Sequence, residues 1–350
     1  MKPWMIYGAS GYTGRLIARA AAARGLRPVL AGRNEAKIEP LAAELGCDSR
    51  VFPLTAETAG HLDGMAAVLH CAGPFRATAA PMMEACLAVG VHYLDITGEI
   101  DVIESAAERH DRALAAGIAL LPAVGMDVVP SDCLAARLAA AVPHAIKLEL
   151  AFAGMLSVSH GTAATIWENA GRGGRIRRDG KIVRVGVAWK VQEIPFPRGP
   201  QLAMTIPWGD VASAYHTTGI PHIEVYAAVP PGPLKVLRAV RRFAPLAGWP
   251  PVQAAGRWWI ERRVRGPDTE ELSRGRTEFW GRVTDAAGRT AEAALETPNG
   301  YALTVETSLA ILQQVLSGHI PAGFSTPASA LGGDFIETIP GVVFRHGLRR

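Results

Sequence analysis

The spacing of apolar positions along the 350-residue chain changes near residue 130. Before that point, short apolar runs alternate with longer segments whose apolar residues recur every three or four positions, as in strands followed by helices. This alternation predicts a parallel, doubly wound sheet. The predicted strands are 4–7, 28–31, 50–53, 67–71, 92–96 and 118–123, and the predicted helices are 13–24, 35–45, 77–89 and 101–116.

The pattern beyond residue 130 favours a different architecture. A predicted helix over 131–142 leads into a strand-like run at 146–152. Asp179-Gly180 and the Asp285–Gly288 stretch each separate two alternating runs, which is the signal of a β-hairpin. We therefore expect a largely antiparallel sheet with helices in this half of the chain.

The last part of the chain is again helical. Residues 301–316 form an apolar amphipathic pattern, and Thr326-Pro327 is typical of a helix start. We predict an α/β protein with domains at 1–130 and 131–300, and a C-terminal segment, 301–350, that packs back on the first domain.

A glycine-rich turn lies between the first predicted strand and helix: Gly8, Ala9, Ser10, Gly11, Tyr12, Thr13 and Gly14. Its G-x-x-G-x-x-G spacing is a variant of the dinucleotide-binding fingerprint. Gly8 would permit the sharp turn, Gly11 the approach of a pyrophosphate, and Gly14 close packing of helix on strand. The amide groups and the positive dipole end of the helix would face the anion. The turn predicts a dinucleotide cofactor.

The end of the second predicted strand bears on which dinucleotide binds. An NAD-binding unit normally has Asp or Glu there to accept a hydrogen bond from the ribose 2′-hydroxyl. This chain instead has Arg33, followed by Asn34. A guanidinium pairing with the 2′-phosphate of NADP is worth about 1.5–3 kcal/mol. A solvated arginine at the start of the next helix is the alternative, and NADP is favoured over NAD.

Small residues follow the fourth predicted strand, in His70-Cys71-Ala72-Gly73-Pro74-Phe75. At the carboxyl end of a strand they would let the cofactor approach the backbone, although an ordinary strand-to-helix turn has the same composition. The predicted cofactor contacts here are Cys71, Ala72, Gly73 and Phe75. Cys71 is expected to be a small buried side chain rather than a nucleophile.

Polar clusters follow the next two predicted strands, at the edge where open α/β sheets bind ligands. Asp95, Thr97 and Glu99 are candidate substrate contacts, and Asp127 is a candidate catalytic group. The alternative for such residues, Thr97 in particular, is a role at helix ends.

The second half of the chain adds three further candidates. Tyr215 and His216 could protonate a product, as could Asp127 or water. His160 could face cofactor or substrate, although a lone histidine before a helix is more often structural. The arginines of residues 172–190 alternate with apolar residues and are expected to form a solvated face.

One stretch combines bases, apolar residues and tryptophans. Leu234, Leu237, Val240, Phe243 and Leu246 recur at helical spacing, with Lys235, Arg238, Arg241 and Arg242 between them, and Trp249, Trp258 and Trp259 follow. Three interpretations stay open: a lid over an apolar substrate, a helix at an anionic lipid surface, or a core-facing helix with snorkelling bases.

Composition narrows the range of functional classes to which the protein can belong. The net charge of +4 is too small to indicate a nucleic-acid-binding protein. The four cysteines are scattered and show no metal-binding spacing, so a reduced, cytoplasmic protein without a metal site is expected. No signal peptide is apparent, and no run reaches the ~18–20 apolar residues of a membrane span.

Several motifs together resemble the saccharopine dehydrogenase-like oxidoreductases, and within them the branch of trans-acting enoyl reductases. They are the glycine turn, HCAGPF at 70–75, HYLDITGE at 92–99, GMDVVPSD at 125–132, His160-Gly161-Thr162, 207–226 and 323–335. The resemblance implies an NAD(P)-binding Rossmann domain, interrupted by a mixed α+β substrate and dimerisation domain, in a homodimer.

Three functions are compatible with these residues. The leading one is NADPH-dependent hydride transfer to an enoyl-type C=C in a small apolar, acyl-like or lipid-like substrate. Reduction of an imine in an amino-acid-like compound is the alternative of the same class. The third is a non-catalytic NADP-binding scaffold with weak peripheral contact to a membrane.

Overall fold

The computed structural model describes residues 2–154, 159, 163–164, 167, 173–232, 234, 249–264, 266 and 268–349. The chain forms two compact units. The first comprises Met1–Val129 and Leu303–Leu331, and the second Pro130–Ala302 and Gly332–Arg350.

The first unit contains a seven-stranded sheet. Its strands are β1 (Met5–Tyr7), β2 (Val29–Gly32), β3 (Ser49–Val51), β4 (Ala67–His70), β5 (His92–Asp95), β6 (Ala119–Leu121) and β15 (Gly323–Phe324). They run in the order β15-β6-β5-β4-β1-β2-β3, and each neighbouring pair is parallel. This is the doubly wound order of a Rossmann sheet with one strand added beside β6. The predicted fold class is confirmed.

Helices connect these strands. They are α1 (Tyr12–Ala23), α2 (Glu35–Leu45), α3 (Thr58–Leu62), α4 (Phe75–Val89), α5 (Ile100–Ala107) and α6 (His110–Ala116). Every residue of β1 and β4 is buried, which explains why these strands read as continuous apolar runs rather than alternating ones.

The prediction of one helix over 101–116 is wrong, because the chain breaks between α5 and α6 at Arg109. The Arg109 guanidinium donates to the Ser105 carbonyl at 2.7 Å. The amide of Arg109 donates instead to the Ala106 carbonyl at 3.1 Å. The backbone bond that would continue the helix is thus replaced by a side-chain bond.

The described residues of the second unit form a nine-stranded mixed sheet. Its strands are β7 (Ala145–Ala153), β8 (Gly174–Arg178), β9 (Lys181–Val185), β10 (Val191–Phe196), β11 (Gly199–Thr205), β12 (His222–Ala228), β13 (Arg276–Asp285), β14 (Thr290–Pro298) and β16 (Val343–Arg349). The order is β10-β11-β12-β7-β13-β14-β16, with β8 pairing β12 and β9. β7 and β12 are parallel, and the other pairs are antiparallel. Both predicted hairpins are present, as β8–β9 and β13–β14.

Further helices are α7 (Val129–Ala141), α8 (Asp210–Thr218), α9 (Pro250–Arg263), α10 (Thr269–Arg274), α11 (Gly300–Leu316) and α12 (Pro327–Leu331), with a 3₁₀ helix at Gly333–Thr338. The core of the second unit is built on its sheet, with Phe196, Tyr226 and Trp280 among the buried side chains. None of the described helices is both long and apolar enough to cross a bilayer.

The C-terminal segment differs in part from the prediction that 301–350 packs back on the first domain. Leu303–Leu331 belongs to the first unit, where it supplies β15. Gly332–Arg350 belongs to the second unit. The reason is that β16 pairs with β14 and extends the second sheet.

Candidate cofactor site and its surroundings

The turn after β1 is packed too tightly for side chains at two of its glycines. Gly8 has a φ of +86°, and its amide donates to the Ala31 carbonyl at 2.8 Å. A Cβ at Gly8 would lie 2.7 Å from the Ala72 amide nitrogen, and one at Gly14 would lie 2.3 Å from the Gly8 carbonyl oxygen. Both distances are shorter than real Cβ contacts. The backbones of the β1 turn and the β4 loop therefore meet directly, and α1 packs closely on the turn.

The N-terminus of α1 presents backbone to the outside. Gly11 is its exposed N-cap residue, and the helix has neither a side-chain cap nor an acid in its first turn. The positive end of the helix dipole is thus not offset by a local carboxylate, which suits a bound anion. The turn and the helix together fit the diphosphate of a dinucleotide.

Arg33 follows β2 at the same carboxyl edge as Tyr7. The Arg33 side chain is exposed. Burial raises the pKa of the Tyr7 hydroxyl, and the nearby Arg33 charge lowers it by a smaller amount. Asn34, the N-cap residue of α2, makes no side-chain cap bond. Arg33 is therefore a cation at the edge where the cofactor ribose is expected.

His70, at the end of β4, supports the adjoining loop. Its ring is fully buried, stacked 5.5 Å from Tyr7 and edge-on at 5.5 Å to Phe75. Burial lowers its pKa to about 3, so the imidazole is neutral. The Thr78 hydroxyl donates to the Ala72 carbonyl at 2.6 Å. Its oxygen can therefore accept from His70 Nε2, 3.0 Å away. This chain of bonds holds the backbone that faces Gly8.

Cys71 is half-buried, and its amide donates to the Tyr7 carbonyl at 2.7 Å. Burial raises the pKa of its thiol. A raised pKa keeps the sulfur protonated at neutral pH, unlike the thiolate that a nucleophilic cysteine requires.

Glu99 caps a helix from another part of the chain. Its carboxylate accepts from the amides of Phe75 at 2.9 Å and Arg76 at 3.1 Å, in the first turn of α4. The N-cap residue of that helix, Pro74, makes no side-chain cap bond. Thr97 Oγ1 in turn accepts from the Glu99 amide at 3.0 Å. Two predicted substrate contacts thus bond to backbone groups: Glu99 to the first turn of α4, and Thr97 to the residue that precedes α5.

Asp95 ties the ends of β5 and β6 together. It is fully buried and accepts from the Tyr93 hydroxyl at 2.6 Å, the Thr97 amide at 2.9 Å and the Ala123 amide at 2.8 Å. Burial raises its pKa to about 6, although these hydrogen bonds lower it. These contacts give Asp95 a structural role, because they join the residues that follow β5 to those that follow β6.

Asp127 lies on the loop after β6, against the end of β5. A Cβ at Gly98 would be 2.8 Å from Asp127 Oδ2, so only glycine leaves room for this carboxyl. Burial raises the pKa of Asp127 to about 7. A carboxyl with this pKa can hold or release a proton near neutral pH.

Two threonines of α11 hold the Asp127 loop, and sequence analysis missed both. The Met126 amide donates to Thr304 Oγ1 at 3.0 Å, and Thr307 Oγ1 donates to the Val124 carbonyl at 2.8 Å. Thr304 and Thr307 lie three residues apart on a buried face of α11, and hydroxyl residues at this spacing are the signal that could have revealed them.

Tyr215 and His216 lie in the second unit, on α8. The Arg177 guanidinium lies 4.0 Å from the centre of the Tyr215 ring. The rings of Tyr215 and His216 meet edge-on, with their centres 5.7 Å apart. Arg177 donates to the carbonyls of Val211 at 2.9 Å and Gly180 at 2.8 Å. Arg177 is only 4% exposed, so the expected solvated face is wrong for this residue.

The predicted candidates therefore fall into two groups. The glycine turn, Arg33, the β4 loop, Glu99, Asp95 and Asp127 come together in the first unit, at the carboxyl ends of its strands. Tyr215 and His216 adjoin each other in the second unit. His160 lies outside the described residues.

The sheet has the strand order of a Rossmann fold. Together with the glycine turn and the N-terminus of α1, which has no side-chain cap, it defines a dinucleotide-binding Rossmann protein. Residues 4–121 match the model of the saccharopine dehydrogenase NADP binding domain. The predicted resemblance is confirmed here, and NADP is the cofactor that the family match supports.

Curated relatives match a limited part of the chain. Trans-acting enoyl reductases of Mycobacterium leprae and Mycobacterium tuberculosis (strain ATCC 25618 / H37Rv) are each 33% identical over 138 residues, which make up 37% of this chain and 33% of each relative. The chain thus covers about a third of the length of the curated relatives it matches.

Two solved structures share the fold over nearly all of the chain. Apo saccharopine dehydrogenase (L-Glu forming) from Saccharomyces cerevisiae has a TM-score of 0.67 at 12% identity, with all of both chains covered. Amine dehydrogenase from Mycobacterium smegmatis has a TM-score of 0.52 at 12% identity, covering 94% of this chain and 95% of that one. At 12% identity, the likeness shows a shared fold and nothing about activity.

Proposed function

We propose that this protein is an NADPH-dependent reductase acting on a carbon–carbon double bond conjugated to a carbonyl, in an apolar acyl substrate. The observation that carries the proposal is the glycine turn, where neither Gly8 nor Gly14 has room for a Cβ. The enoyl part rests on the relatives named trans-acting enoyl reductases, which match over 138 residues.

The cofactor supplies the hydride, so the chain's own residues bind and orient the cofactor and the substrate. The glycine turn and the N-terminus of α1 would hold the diphosphate. Arg33 would pair with the 2′-phosphate by charge-assisted hydrogen bonds. Backbone at Ala72 and Gly73, held by Thr78 and Glu99, would line the ribose side of the site.

Asp127 is the proton donor that its surroundings favour. Its pKa of about 7 lets the carboxyl carry a proton at neutral pH, and the absence of a side chain at Gly98 gives it space. Tyr215, His216 and water are the other donors to be tested. Dimerisation, cytoplasmic location and the acyl nature of the substrate stay predictions of the sequence.

The Arg33→Ala variant tests the cofactor assignment. We expect its affinity for NADPH to fall roughly 10–100-fold, because one charge-assisted pair is lost, and its affinity for NADH to stay nearly unchanged. Calorimetric titration measures both. Lys37→Ala, which removes an exposed base of the following helix α2, is the matched control. Equal losses for both dinucleotides would refute the 2′-phosphate pairing.

Substrate class is tested on the unaltered protein by following NADPH absorbance. Turnover with an enoyl thioester supports the proposal. Turnover confined to imines of amino acids would replace it with imine reduction. Binding of NADPH without turnover of either class would favour a non-catalytic scaffold.

A further inference from the structure

Helix α9 of the second unit carries large apolar side chains on its surface. Trp258 and Trp259 are each 55% exposed, and Trp249, its N-cap residue, is 60% exposed. Tryptophan is highly buried on average in folded proteins. Clustered exposure of this kind marks a surface that meets something else.

The inward side of α9 is already occupied. Trp167 Nε1 donates to the Gln253 carbonyl at 3.2 Å, and Gln253 Nε2 donates to the Trp167 carbonyl at 3.1 Å. A Cβ at Gly256 would lie 2.0 Å from the Trp167 ring, and Ile260 is 5% exposed. These contacts determine how the helix is rotated, so the exposure of its other side is a property of the fold.

The outward side is apolar along most of its length and basic at one end. It is formed by Pro251, Ala255, Trp258, Trp259, Arg262 and Arg263, all exposed. Their spacing of three, four and seven residues places them on adjoining rows of one helix. The Arg262 guanidinium lies 4.2 Å from the centre of the Trp258 ring.

Positive charge is concentrated around this helix in the sequence. Residues 235–265 contain eight Lys and Arg and one Asp or Glu, whereas the whole chain has a net charge of +4. The rest of the chain is therefore net negative. Residues 235–248 and 265 lie outside the described residues. The charge is complementary to an anionic surface.

We propose that the outward side of α9 docks on an anionic lipid bilayer at its headgroup region. Tryptophan rings favour this region because one end of the indole is apolar and the other can donate a hydrogen bond. Arg262 and Arg263 would contact lipid phosphates. The apolar Pro, Ala and Trp positions suit the acyl boundary better than they suit a nucleic-acid backbone. The proposal is independent of the reaction in the first unit.

Flotation of the full chain with vesicles tests the proposal. We expect binding to vesicles of phosphatidylcholine and phosphatidylglycerol, weaker binding in high salt, and little binding to phosphatidylcholine alone. Tryptophan emission should shift to the blue on binding. Arg262→Ala combined with Arg263→Ala should weaken binding roughly 30-fold. Trp258→Ala combined with Trp259→Ala should remove the emission shift and most of the binding.

Matched controls use residues elsewhere in the second unit. Trp189→Ala removes a tryptophan that is 48% exposed, and Arg274→Ala removes a base of α10 whose side chain is 80% exposed. Both should bind vesicles as the unaltered chain does. Far-ultraviolet circular dichroism and the midpoint of urea unfolding, measured on every variant, report whether the chain has folded.

Three outcomes would overturn the proposal. One is equal binding to neutral and anionic vesicles, and another is unchanged binding by the α9 variants. The third is a loss of self-association in the Trp258/Trp259 variant without vesicles, which would identify this side as an interface between two copies of the chain.

Discussion

At the scale of single residues, the close approach of α1 to the β1 turn requires glycine at position 14. Its missing side chain leaves room for the Gly8 carbonyl oxygen, which a Cβ would approach to 2.3 Å. A substitution there must displace either the turn or α1. Both are part of the proposed diphosphate site, so stability and cofactor binding should change together.

Gly14→Ala is therefore expected to destabilise the protein by about 1–3 kcal/mol through overpacking and to abolish measurable NADPH binding. Urea unfolding and calorimetric titration measure the two effects. Gly60→Ala, within α3, is the control because a Cβ there has nothing within 4 Å. A Gly14→Ala variant that binds NADPH normally would contradict the role given to this turn.

The positions of residues could be predicted where their causes are local. The glycine turn and Arg33 lie within a few residues of the strands that position them. The contacts of Glu99 could not be predicted, because its partners Phe75 and Arg76 are 24 and 23 residues away. The burial of Arg177 could not be predicted either, since its carbonyl acceptors come from two different segments.

At the scale of elements, α4 depends on a carboxylate supplied by the start of α5. Glu99 accepts from two first-turn amides of α4, and this arrangement replaces the cap that Pro74 does not provide. The same turn adjoins the loop whose backbone faces Gly8. The position of α4 and the shape of the cofactor site are thus coupled.

Glu99→Ala is expected to cost about 0.5–2 kcal/mol of stability, the usual value of a lost helix cap, and to weaken NADPH binding several-fold. Glu99→Gln, which keeps an acceptor oxygen, should recover most of the affinity. Thermal unfolding and NADPH titration measure both. The exposed Glu108→Ala is the control. Equal affinity in the Ala and Gln variants would show that capping does not shape the site.

Element boundaries were predictable where the backbone follows its own sequence pattern. The two hairpins were found from their Asp-containing turns, and β1 to β6 from their apolar runs. The break between α5 and α6 was not, because it arises from a side-chain bond of Arg109 to Ser105. Nor does pattern alone reveal that β16 joins β14, 45 or more residues earlier in the chain.

At the scale of the whole molecule, buried titratable groups are held in more than one way. In the first unit, Asp95 is held by neutral donors, and His70 is buried as a neutral ring. In the second unit, the buried Glu149 pairs with Lys147 at 3.0 Å and with Arg282 at 2.7 Å. We therefore expect acid to act on the first unit through His70.

The sign of this effect follows from the pKa of His70, which is about 3 in the folded protein and about 6.5 in an unfolded chain. Protons bind the unfolded chain first, so stability is lost as the pH falls below about 6.5. Asp95 and Asp127, with pKa values of about 6 and about 7, act in the opposite direction. A comparison of variants is needed to separate the contributions.

His70→Gln should remove the histidine contribution. Between pH 7.5 and pH 5.5, the unaltered protein should lose about 1.4 kcal/mol more stability than the variant. Urea unfolding at the two pH values gives this difference. The exposed His319→Gln should behave like the unaltered protein. Parallel pH dependence in the His70→Gln variant would contradict the assignment.

The first unit is assembled from two distant stretches of chain. Strand β15 pairs with β6, and Thr304 and Thr307 hold the loop that carries Asp127. During synthesis, the dinucleotide-binding half therefore stays incomplete until the ribosome has translated residue 331, after most of the second half has emerged. A nascent chain halted at residue 129 would leave the outer edge of β6 unpaired, and unpaired strand edges of unfinished chains promote aggregation.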